Sequence, residues 1–234
     1  MKRIIPIAGI TAGCGLVVAA FIFIRSSAQS PIPTITPAPA MDLSGLKAKA
    51  ENGDAKAQMQ LGKAFVQGAG VARDYKQAAL WLGNAASNGN IEAEAMFGEL
   101  YQAGQGVHQD LTNAMNWLTK AAQAGSPAAQ YDLGFIYEQG RGVKKDERLA
   151  AHWYLLAAEG GDALAQFDYG QRCIVGLGVA KDSIEGLKWL LLAAAQGQTD
   201  SQARADSVQR GLSGEQVAEA KRKSAAFTPR HTGR

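Results

Sequence analysis

All four tryptophans of this 234-residue chain, Trp81, Trp117, Trp153 and Trp189, stand 36 residues apart. That spacing constrains the fold more than any other feature, because other residue types keep the same register. Gly62, Gly98, Gly134 and Gly170 form one column, Val71, Val107, Val143 and Val179 a second, and Asp74, Asp110, Asp146 and Asp182 a third. Self-similarity at such a period marks a solenoid, in which a unit too small to bury its own apolar face stacks on its neighbours.

Within a unit, apolar and small residues recur at helical spacing, as Ala57, Leu61 and Phe65 in the first half and Ala78, Trp81 and Ala85 in the second. Two amphipathic helices per unit are predicted. Asp54, Asn90, Ser126 and Asp162 sit where an N-cap accepts orphan backbone N–H groups. Each directly follows a glycine, Gly53, Gly89, Gly125 or Gly161, suited to the left-handed end of the preceding helix. A G-x-G-V segment, such as Gly68, Gly70 and Val71, separates the two helices, and the aspartate column three residues on supplies the second N-cap. Gln77 and Glu185 are expected to extend that cap into a capping box. These signals place helix A over 55–67 and helix B over 75–88 in the first unit. The mid-helix Gly62 column costs about 0.5–1 kcal/mol per copy relative to alanine, so it demands a packing reason. The expected one is a close approach of helix A to helix B beneath the tryptophan ring.

The pattern A-Q-x-x-L-G-x-x-Y-x-x-G-x-G-V-x-x-D-x-x-x-A-x-x-W-x-x-x-A-A-x-x-G reads without mismatch over 129–161 and resembles the Sel1-like repeat, a relative of the tetratricopeptide repeat. Four copies cover 54–197. Glu94 replaces the glutamine of the second copy, and Phe97 and Tyr169 replace the leucine of the second and fourth. Gly186 replaces an alanine and Cys173 an aromatic in the fourth, which suggests a looser last unit. The resemblance implies an all-α fold, a right-handed α/α solenoid of four helix-turn-helix repeats at 54–89, 90–125, 126–161 and 162–197.

Terminal repeats need polar caps. Residues 42–53 read as an N-terminal capping helix, 198–227 as C-terminal capping helices and 228–234 as a disordered tail. Residues 4–24 form an uncharged apolar stretch, which as a helix of about 1.5 Å per residue spans the roughly 30 Å core of a bilayer. Residues 1–25 are therefore expected to be a single transmembrane helix, and the proline-rich stretch 26–41 a linker. Lys2 and Arg3 precede the span, which puts the N-terminus in the cytoplasm and the repeats in the periplasm of a bacterium, tethered to the inner membrane. Cleavage of a signal peptide near Ala28 is the alternative.

The repeat region carries 12 basic against 15 acidic residues, so the net charge of +3 resides in the ends. No basic stripe for nucleic acid follows. The three histidines, His108, His152 and His231, have no second ligand at metal spacing, no catalytic constellation appears, and no cofactor or small-molecule substrate is expected. Cys173, in a core column, is expected to be a buried apolar side chain.

The family resemblance implies a non-enzymatic adaptor that binds a protein or extended peptide on a concave helix-A face, with an immunity protein that sequesters a toxic effector as the alternative. Under tetratricopeptide-like packing, the helix-A positions that flank and follow the Leu61 column face that groove. They place Lys63, Glu99, Tyr131, Phe135, Glu138, Phe167 and Gln171 there as candidate partner-binding residues. Aromatics among them are the usual anchors of interfaces.

Overall fold

The computed structural model describes residues 43–230, which are helical and contain no strand. The expected transmembrane helix at 1–25 and the linker at 26–41 lie outside the described residues. Among those described, no helix is long and apolar enough to cross a membrane.

Eleven helices follow one another along this region. The first, α1 (Leu43–Glu51), is the N-terminal cap. Four helix pairs come next: α2 (Ala55–Gln67) with α3 (Tyr75–Ser87), α4 (Ile91–Ala103) with α5 (Leu111–Gln123), α6 (Pro127–Gln139) with α7 (Glu147–Glu159), and α8 (Ala163–Val175) with α9 (Ser183–Ala195). The last two, α10 (Ser201–Gln209) and α11 (Gly214–Ala225), both pack on α9. Each paired helix contacts its partner and the next helix in the chain, the neighbour-only packing of a solenoid.

The boundaries follow from caps. Asn90, Ser126 and Asp162 each accept one bond from a first-turn backbone N–H of the helix they open, and Asp54 accepts two. Asp74, Asp110, Asp146 and Asp182 accept two each. The capping boxes expected at Gln77 and Glu185 do not form. The N–H that a box would satisfy is already spent: Asp74 N donates to Phe65 O at 3.1 Å and Asp182 N to Cys173 O at 2.8 Å. Glu185 turns instead to Lys188, 2.8 Å away. One capping box does occur, at Ser213 and Gln216.

The Gly62 column does mark close helix contacts, but its partner is not the tryptophan expected. A Cβ at Gly62 would stand 2.6 Å from Leu82 Cγ, at Gly98 2.8 Å from Leu118 Cγ, and at Gly134 2.7 Å from Tyr154 Cδ1. Only in the fourth unit does tryptophan take part, through Trp189 Cβ at 3.2 Å from the position a Cβ on Gly170 would take.

The last unit is also tighter than expected. A Cβ at Gly186 would lie 2.6 Å from Ile174 Cγ1 and 2.8 Å from Gly170 O, so this glycine lets α9 approach α8. Trp189 and Cys173 are each only 2% exposed, because Tyr169, in place of a leucine, fills the space that a ring at Cys173 would otherwise take. The chain end closes the same core. Phe227 lies edge-on to Trp189 with ring centroids 5.3 Å apart, and Arg230 donates its backbone N–H to Glu159 O at 2.8 Å. The disorder expected from 228 therefore fails for 228–230, while 231–234 lie outside the described residues.

The glutamine column ties successive units together. Gln58, Gln130 and Gln166 are buried, and each donates its amide to a carbonyl of the preceding helix, at Ala50, Ala122 and Ala158. Glu94 has no such proton to give. Its buried carboxylate takes Lys120 Nζ at 2.6 Å instead.

Candidate partner-binding face

The first helices of the four pairs stand side by side, as side-chain bonds between units 29 to 37 residues apart in sequence show. Lys63 on α2 reaches Glu92 on α4 at 2.7 Å, and Tyr131 on α6 donates to Asp168 on α8 at 3.1 Å. Arg172 on α8 reaches Glu138 on α6 at 2.6 Å, and Arg204 on α10 donates to Gln171 on α8 at 2.6 Å. Two clefts open on this row of helices. One, of about 1000 Å³, runs between α1, α2 and Glu92. The other, of about 480 Å³, lies between Lys63, Ala95, Glu99 and Ala128.

The seven candidate residues all stand on this row, in different states. Glu99 is exposed, yet the surrounding walls strip enough water from its carboxyl to raise its pKa above the ordinary range, as a concave surface does. Lys63 is held by Glu92. Tyr131 and Phe135 are partly buried, with the Arg141 guanidinium 4.7 Å from the Phe135 ring centroid. Phe167 packs against the cluster of Leu187, Leu190, Ala205 and Ala220. Gln171 accepts from Arg204. Glu138 is occupied twice, by Tyr154 Oη at 2.8 Å and by Arg172.

That double occupation belongs to a network the sequence reading missed. Arg172 falls in the column of Ala64, Leu100 and Ile136, and Tyr154 in the column of Leu82, Leu118 and Leu190, so both break apolar core columns. They do so together. The Arg172 side chain is only 4% exposed, sits over the Tyr154 ring at 5.0 Å, and pairs with Glu138 and with Glu147 at 2.8 Å. Lys145 and Arg172 together lower the Glu147 carboxyl below its usual range. Burial and the hydrogen bond to Glu138 hold the Tyr154 phenol well above its own. The signal was present as two coincident departures from columns otherwise apolar.

Asp132 was also unselected. Its Oδ2 is buried without a hydrogen-bond partner, and burial, then the neighbouring Glu99 and Asp162 carboxylates, push its carboxyl up to about 7. Asp168 on the next helix is likewise raised by burial, although the Tyr131 hydroxyl opposes the shift.

Among the described residues no group of three or more His, Cys, Asp or Glu is placed to hold a metal ion. His108 and His152 are exposed, and His231 lies outside the described residues. Burial pushes the Cys173 thiol up to about 11, which suppresses the thiolate.

The family model described as Sel1 repeat matches residues 55–90, 91–126, 127–162 and 163–198. Among solved structures, the chain is similar to a protective antigen present in uropathogenic Escherichia coli strains, with 40% identity and a TM-score of 0.69 over 79% of this chain and 40% of that one. It is also similar to a Sel1 repeat protein from Oxalobacter formigenes, with 34% identity and a TM-score of 0.65 over 71% of this chain and 48% of that one. The match thus spans less than half the length of either structure. An immunity protein from Pseudomonas aeruginosa shares the fold at 18% identity and a TM-score of 0.50, over 79% of this chain and 74% of that one. No curated protein matches the chain.

Proposed function

This chain belongs to the Sel1 repeat family, and we propose that it is a non-enzymatic adaptor that holds a protein or an extended peptide against the face built from α2, α4, α6 and α8. Sel1 repeat proteins are protein-interaction scaffolds. One observation carries the assignment to this face: the charged side chains of Lys63, Glu92 and Glu99 line its two clefts and Tyr131 and Phe135 are left partly exposed on α6, while Leu82, Leu118 and Leu133 are fully buried. The immunity role has only a shared fold in its favour and is not adopted.

The proposal includes the tether. Residues 1–25 anchor the chain in the inner membrane with the repeats in the periplasm, supported by the uncharged stretch 4–24 and by Lys2 and Arg3 before it. A reporter enzyme active only outside the cytoplasm, fused after Gly211, is expected to be active and to stay with membranes through a carbonate wash. Activity in the soluble fraction points instead to cleavage near Ala28.

The face is tested by a photocrosslinking residue placed at the exposed Ala128, which lines the 480 Å³ cleft, and, as a control, at the exposed Leu80 of α3. The adaptor reading expects one discrete partner trapped from position 128 in living cells, and not from position 80. Equal trapping from both positions, or none, overturns it.

A further inference from the structure

Two cations of the helix-A face are already committed. Lys63 is taken by Glu92, and Arg172 is enclosed by Glu138 and Glu147. Two acids beside them are not. Neither Glu99 nor Asp132 has an ion-pair partner among the described residues, and the Asp132 Oδ2 is buried with no hydrogen bond at all. A buried acceptor left unmade is costly, and a carboxylate beside other carboxylates more so. The surface around it is partly apolar. Phe135 lies one helical turn beyond Asp132 on the same side of α6, and Ala128 one turn before it lines the 480 Å³ cleft together with Glu99. That volume falls within the range of built ligand sites.

We propose that the face formed by α4, α6 and α8 docks an extended segment of a partner protein, whose lysine or arginine side chain pairs with Asp132 and Glu99 while its apolar neighbours pack on Phe135 and Tyr131. The inference rests on the adaptor reading and adds the chemistry of the partner. Charge complementarity selects the occupant, since a cation entering here meets two carboxylates without an ion-pair partner, while the nearby cations Lys63 and Arg141 are held by Glu92 and over the Phe135 ring. An acidic segment meets repulsion from both carboxylates, and like charges brought together at an interface discriminate strongly. The aromatic rings supply apolar contact area that charge alone does not.

The test selects peptides from a phage-displayed random dodecapeptide library on the full chain in non-ionic detergent, then measures the affinity of the enriched peptide by fluorescence polarisation. Enrichment of sequences that pair lysine or arginine with an apolar residue is expected. Binding of the enriched peptide is expected to weaken about tenfold or more in Asp132→Asn and again in Glu99→Gln. Glu99→Gln sits on a different helix and keeps the test decisive if Asp132→Asn folds poorly. Enriched peptides that are acidic or uncharged, or affinities within about twofold of wild type in both variants, overturn the proposal. Concentration-dependent self-association abolished by Asp132→Asn also overturns it, by making a second copy the occupant. In the first two cases, trapping from position 128 in cells still upholds the adaptor reading. Failure of that trapping together with failure of selection removes both.

Discussion

Replacing Asp132 by asparagine is expected to stabilise the protein, and to do so only at neutral and alkaline pH. The carboxyl titrates near 3.8 when unperturbed and is pushed up to about 7 in the fold, first by burial and then by Glu99 and Asp162. Its folded pKa therefore lies above its unfolded one, so the folded chain binds more protons than the unfolded chain between roughly pH 4 and 7. Stability contributed by the neutral form is fully present below about pH 4 and is lost as the pH rises towards about 7. The gap corresponds to about 4 kcal/mol for a fully buried group. Solvent reaching this partly buried carboxyl reduces the usable figure to about 1–2 kcal/mol. Asparagine keeps the shape, removes the charge, and brings an amide N–H able to donate to Glu99. Urea unfolding of the full chain in detergent, for wild type and Asp132→Asn at pH 5 and pH 8, reads the difference directly. Glu99 and Asp162, whose carboxylates face Asp132, are present in both proteins, so the comparison reads position 132 together with its coupling to them. The variant is expected to gain about 1–2 kcal/mol at pH 8 and distinctly less at pH 5. A variant no more stable than wild type at pH 8, or an equal gain at both pH values, refutes the reasoning.

Three further outcomes follow from other positions. Cys173, buried and with its thiol pushed up to about 11, is expected to react with a thiol reagent at pH 8 about a hundredfold more slowly in the folded chain than in urea, measured in a Cys14→Ser background; rapid native labelling contradicts its core placement. Glu94→Gln, which restores the amide donor found at Gln58, Gln130 and Gln166, is expected to raise the urea midpoint by the equivalent of about 1 kcal/mol, and a lowered midpoint shows that the Lys120 pair outweighs the lost bond. Phe227→Ala is expected to cost about 1–3 kcal/mol and to speed proteolysis after residue 210, since the ring covers Trp189; unchanged stability shows that the chain end adds nothing to the core.

Much of the fold was legible because a solenoid residue meets only its own unit and the next, so one column in sequence is one environment in space. Asp54 and Asp74 announced helix starts through chemistry that acts within three residues. What escaped depended on contacts across the pair. Trp81 and Leu82 are adjacent in the sequence but about 100° apart around a helix, and periodicity alone did not say which of them meets Gly62. The boxes at Gln77 and Glu185 failed because the Asp74 and Asp182 amides find carbonyls at the end of the previous helix, a tertiary bond that no local pattern records. The fourth unit was misjudged by taking Gly186 and Cys173 singly. Tyr169 and Ile174 compensate for them, and only the four together describe a packed site.

The same pairing logic bears on why units three and four carry a buried charge network. Units one and two fill the equivalent columns with Leu82, Ala64, Leu118 and Leu100, so the architecture forms without Tyr154 and Arg172. Exchanging apolar residues for a buried ion network rarely improves stability, since desolvating the charges consumes most of what their attraction returns. The network does fix geometry. Arg172 locks the Glu138 carboxylate, Glu138 locks the Tyr154 hydroxyl, and the Tyr131 ring lies 5.4 Å from Tyr154 while its hydroxyl holds Asp168. Every member stands on α6, α7 or α8, with Glu147 at the start of α7. Side chains pinned in this way lose little rotamer freedom when a partner arrives, which lowers the entropic cost of binding. Asp132 and Glu99, the groups beside this rigid frame that lack any partner of their own, are the part of the face left for another molecule to complete.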